Sequence, residues 1–105
     1  MTKKLLFKIV AVSEIGEIID VFGDFERLDL QKLIDIAIAK NMTNLSVIDL
    51  SGDTYFNELQ CKDIKKEISF LSSKDEVKER LLCAIKNAIE VAVKNKAFFK
   101  VEYVT

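Results

Sequence analysis

Residues 45–59 read LSVIDLSGDTYFNEL, and the number of strands in the protein turns on them. Residues 45–50 are a short, apolar, β-prone run between polar neighbours, which predicts a strand. Ser51-Gly52 supplies a turn. Residues 53–59 then either pair back as a further strand or, with Gln60, begin a helix, and both readings stay open at this point.

Working outward toward the N-terminus, residues 4–12 (KLLFKIVAV) predict a strand, Gly16 a turn, and Glu17–Phe22 a returning strand. Gly23-Asp24 breaks that strand. From Asp29 the period changes. Leu30, Leu33, Ile34, Ala37 and Ile38 fall at helical spacing on one face. Asp29 is placed to cap that helix, since a carboxylate there accepts from the free amides of the first turn. Lys40 complements the dipole at the other end, and Asn41 readily takes the left-handed conformation that ends a helix.

Toward the C-terminus, Ile64, Ile68 and Leu71 predict a second helix over roughly 62–72. Ser73-Lys74-Asp75-Glu76 has the spacing of a capping box and predicts a long third helix running to about Asn95. FFKVEYV, residues 98–104, alternates as a half-buried strand does. The order β-β-α-β-β-α-α-β does not alternate strictly, which argues against a doubly wound parallel sheet. The predicted architecture is α+β: a single two-layer domain over 1–105, with three helices on a mostly antiparallel or mixed five-stranded sheet.

At 105 residues with 50% hydrophobic content, the chain can bury one core, and it contains no proline-rich or glycine-rich linker. The start, MTKKLLFKIVAV, is unlike a secretory signal because Lys8 interrupts its apolar run. No apolar run approaches the roughly 20 residues of a membrane span. Cys61 and Cys83 lack C-x-x-C spacing. These features predict a soluble cytoplasmic protein with reduced thiols and no membrane partner.

The chain has no histidine. That removes the commonest general base, the Ser-His and Cys-His pairs and every histidine metal site. Asp49–Asp53 resembles the opening of a calcium loop, but Thr54 and Gln60 stand where its glycine and bidentate glutamate are required. There is no glycine-rich phosphate loop. Cys61 and Cys83 read as ordinary small apolar residues, with Cys61, near the start of a helix, the one thiol whose position favours ionisation. Lys62, Lys65, Lys66, Lys74, Lys78 and Arg80 form a basic cluster that reads as a solvated helix face. With a net charge of −1, direct binding of nucleic acid is not expected. No catalytic residue, cofactor or metal is assigned, and the chain reads as a binding protein rather than an enzyme.

Charge is unevenly spread. Residues 13–63 carry eleven acids against four cations, a net of −7, whereas residues 1–12 and 64–105 each carry a net of +3. The acids concentrate in SEIGEIIDVFGDFERLD, residues 13–29, where Glu14, Glu17, Asp20, Asp24, Glu26 and Asp29 alternate with Ile15, Phe22 and Phe25. A solvated rim explains part of this pattern, with Glu26 and Asp29 serving the helix start. A docking surface for a basic protein explains the rest: carboxylates steer association, and Phe22 and Phe25 would act as anchors. Asp49, Asp53 and Tyr55 are secondary contact candidates. A cationic nuclease domain, whose cleft must hold a polyanion, is the partner such a surface suits.

The stretch VIDLSGDTYFNELQCKDIKKEISFL (residues 47–71), with the chain's length and its Lys/Asn/Ile-rich character, resembles the small bacterial immunity proteins of contact-dependent growth inhibition systems. That resemblance implies a cytoplasmic protein that binds a cognate toxin domain, often a nuclease, and blocks its active site. The alternative is a small adaptor or oligomerising domain with no toxin partner.

Overall fold

The computed structural model describes residues 6–71 and 73–104. β1 (Leu6–Val12) is central and runs antiparallel to β2 (Ile18–Glu26) on one side and to β4 (Phe98–Val104) on the other. β3 (Thr54–Phe56) pairs antiparallel with β4, which gives the order β2-β1-β4-β3. Alternation sorts the side chains. Phe7, Ile9, Phe99, Val101, Phe25 and Phe56 enter one core with Leu30, Leu33, Ile64, Leu81 and Ile85 from the helices. Lys8, Val10, Lys100 and Glu102 alternate with these along β1 and β4, on the opposite face.

Among the described residues the sheet is therefore four-stranded and wholly antiparallel, and the strand expected at residues 45–50 does not form. Leu45–Val47 is a 3-10 turn instead. Leu45 and Ile48 both reach the core, a three-residue spacing that a helical turn satisfies and a strand cannot. Its free amides are claimed from a distance. The Glu67 carboxylate accepts from the backbone N–H of Asn44 (3.2 Å), that of Leu45 (3.0 Å) and the Asn44 side-chain amide (2.7 Å).

The open question at residues 53–59 resolves into both answers in sequence. Thr54–Phe56 is strand, and α2 (Glu58–Ser69) follows at once. Asn57 and Gln60 make the boundary by exchanging bonds. The Asn57 side chain accepts from the Gln60 amide at 2.8 Å, and the Gln60 side chain accepts from the Asn57 amide at 2.9 Å. The helix thus begins four residues before the predicted 62.

α1 (Arg27–Ala39) begins three residues earlier than expected, with Glu26 rather than Asp29 at its N-cap and Asp29 inside the first turn. Asn41 ends it in the left-handed conformation, φ 56°, as its residue type predicts. The capping box expected at residues 73–76 does not open α3. Ser73–Asp75 is a separate 3-10 turn, and Glu76 takes φ 53°, which no helix accommodates. α3 (Glu79–Lys94) starts beyond that break. Among the described residues, no helix is long and apolar enough to cross a membrane.

Candidate functional site: the acidic edge strand

The site is built on the β1–β2 hairpin and the outer edge of β2. The Gly16 amide donates to the Ser13 carbonyl (2.9 Å) and the Ser13 amide to the Glu17 carbonyl (2.8 Å). The Ser13 hydroxyl accepts from the Glu17 amide at 3.1 Å. Gly16 sits at φ 84°, a conformation that closes the turn without strain only for glycine. The turn throws Glu14, Ile15 and Glu17 into solvent, and Ile15 is 80% exposed.

β2 carries two bulges against β1, between the partners of Ile9 and Val10 and again between those of Ala11 and Val12. Extra residues in a strand bend it and spoil its free edge for further pairing. Ile18, Ile19 and Val21 consequently stand exposed beside Asp20 and Asp24. Along this edge Glu14, Glu17, Asp20 and Asp24 make no ion pair with any described residue. Asp20 accepts only from the Val21 amide (2.8 Å).

The remaining candidates of this stretch have structural employment. Asp29 accepts from the Glu26 amide (3.3 Å) and pairs with Lys78 at 3.3 Å, joining the start of α1 to the approach to α3. Phe25 is 1% exposed and lies under the Arg80 guanidinium, 4.5 Å from its ring centre. Arg80 also donates to the Asp24 carbonyl at 3.3 Å. Of the expected aromatic anchors, Phe25 is therefore a core residue and Phe22 packs half-buried against the core. The apolar members of the exposed surface are Ile15, Ile18, Ile19 and Val21 instead.

Gly23 makes this arrangement possible. Its φ is 150°, and a Cβ there would stand 3.1 Å from the Phe25 ring. The hydrophobic pattern of residues 17–22 gave no sign that β2 continues through this glycine to Glu26. Continuation depends on pairing with β1, which a local reading does not contain.

Asp49, Asp53 and Tyr55 do not join the site. Strand order puts them at the opposite edge of the sheet, three strand spacings or about 14 Å from β2. Asp49 accepts from the Ser51 hydroxyl and amide, and these bonds hold its carboxyl below the usual carboxylate range. Asp53 accepts from the Tyr103 amide (2.8 Å) and lies 3.6 Å from the Lys100 ammonium. Lys100 is mostly buried. Burial alone would lower its pKa, but bonds to Glu102 and Tyr55 and the charges of Glu102 and Asp53 outweigh it and raise the pKa. Cys61 lies in the first turn of α2 but is buried, and desolvation outweighs that position and pushes its thiol up to about 11. No group of three metal-ligating side chains comes together among the described residues.

Beside the hairpin lies a shallow recess of about 340 Å³, bounded by Glu14, Ile15, Glu17 and Ile19 on one side and Asn95–Ala97 on the other. Its lining combines the carboxylates of Glu14 and Glu17 and the apolar Ile15 and Ile19 with one cation, Lys96. Compared with protein-family models, curated proteins and solved structures, the chain has no match.

Proposed function

We propose that the chain is a toxin-neutralising immunity protein, acting in the cytoplasm by laying the edge of β2 and its hairpin against a cationic toxin domain, most simply a nuclease. It transforms no substrate in this reading. One observation carries it: Glu14 and Glu17 in the hairpin turn and Asp20 and Asp24 on β2 are exposed, make no ion pair with any described residue, and have exposed isoleucines between them. Carboxylates in this state keep their charge and their reach. They accelerate encounter with a positive surface, and the adjoining apolar side chains supply the contact that persists after encounter.

The test is the association rate of the triple variant Glu17→Lys, Asp20→Lys, Asp24→Lys with the toxin domain that co-purifies with the wild-type protein. Association slows on the order of 10-fold or more at low salt, and its salt dependence flattens. Unchanged kinetics in that variant would remove the steering surface, and with it the reading.

A further inference from the structure

A second surface of the molecule has the opposite chemistry. α2 and α3 leave a groove between them of about 250 Å³, floored by Ile68 and Ile89 and flanked by Lys65 and Lys86. It continues past Val93 to Lys62 and Lys94. Lys65, Lys86 and Lys94 make no ion pair with any described residue, and Lys62 has only a long contact of 3.8 Å to Glu58. Glu90 is the single acid among the lining residues. Lysine side chains over an apolar floor fit an occupant that is apolar at its tip and acidic around it.

The hairpin of this same chain is such an occupant. Ile15 is the most exposed large apolar residue described, and Glu14 and Glu17 flank it. We propose that the hairpin of one copy seats in the α2–α3 groove of a second copy. Both surfaces lie at the carboxyl end of α3: the groove reaches Lys94, and the hairpin recess is walled by Asn95–Ala97. That proximity allows two copies to exchange hairpins about a twofold axis, forming a closed pair rather than an open chain. The net charge of −1 means that copies approach with almost no overall repulsion, while the unlike patches attract. The dimer buries the hairpin that the toxin-binding reading also uses, so the two contacts exclude each other at Glu14, Ile15 and Glu17. No toxin enters the test, and its outcome stands apart from that reading.

Sedimentation velocity of the full chain provides that test. The wild type forms a dimer that weakens as salt rises from roughly 0.01 M to roughly 1 M, over which the screening length falls from about 30 to about 3 Å. Lys65→Glu with Lys86→Glu, and separately Glu14→Lys with Glu17→Lys, each weaken the dimer on the order of tenfold or more. All four positions are exposed, so circular dichroism of the variants matches the wild type. Mixing the two variants restores a dimer, because each then meets an unlike charge at both contacts. Lys32→Glu with Lys66→Glu changes the net charge equally, away from the groove, and leaves the dimer intact. A monomeric wild type, a dimer indifferent to either groove or hairpin reversal, or a mixture that stays monomeric overturns the proposal.

Discussion

The two edges of the sheet are both rich in carboxylates, and they use them in opposite ways. At the β3 edge, Asp53 completes the pairing that a three-residue strand cannot, by accepting from the Tyr103 amide, and it helps to neutralise Lys100. Asp49 closes the preceding turn on Ser51. At the β2 edge the strand is nine residues long, twice bulged, and its acids from Glu14 to Asp24 have no cation among the described residues. A count of acidic residues cannot distinguish these cases. The distinction is whether a donor sits within bonding distance, and that depends on which strands are neighbours.

The largest expected effect probes the inner side of β2. Phe25→Ala removes a fully buried ring and the platform under Arg80, and it should destabilise the protein by about 3–5 kcal/mol, read from the urea midpoint. A loss below about 1 kcal/mol would mean that β2 is only loosely attached and that its outer edge is not a fixed surface. Next, Asp53→Ala should cost about 1 kcal/mol, since the Tyr103 amide loses its acceptor at a partly exposed site. The triple lysine variant at Glu17, Asp20 and Asp24 should shift stability by no more than about 0.5 kcal/mol, despite three charge reversals. Equal losses at both edges would erase the contrast between them.

At neutral pH the smallest effect is that of Cys61, which emerges only as a pH dependence in alkali. Burial holds the Cys61 thiol up to about 11, whereas an unfolded thiol ionises near 8.5. Above about pH 8.5 the unfolded chain therefore releases a proton that the folded chain keeps, so stability falls as pH rises toward 11 and is unaffected below that range. Lys100 adds a decline of the same sign above about 10.4, because its folded pKa is also raised. In urea titrations between these two limits, Cys61→Ala should flatten the slope. A variant with the wild-type slope would place the thiol in solvent.

Hydrophobic periodicity was enough to locate α1, the body of α3, β1 and the final strand. In each, the repeat of apolar residues matches one regular backbone geometry, although Ile38, expected on the buried face of α1, is exposed near the helix end. Asn41 announced the end of α1 by residue type alone. The candidate surface was legible in part, since Glu14, Glu17, Asp20 and Asp24 are exposed as the acidic stretch suggested, whereas Phe25, read as an anchor, is core and Phe22 is half-buried against it. An apolar residue in a strand gives no indication of whether its face meets helices or water.

What the sequence determined by itself is the α+β class, three helices, an alternating final strand and the segregation of acidic and basic halves. These depend on composition and on spacing within a few residues. Tertiary structure alone decided that residues 45–50 coil into a turn claimed by Glu67, that Gly23 lets β2 run on to cover the core, and that Asp49 and Asp53 lie across the sheet from the other acids. Each of those outcomes rests on a partner distant in sequence, from Ile9 opposite Gly23 to Glu67 bonded to Leu45, or on strand order. Such a partner stabilises a local conformation that the segment's own preferences, worth tenths of a kcal/mol per residue, do not select.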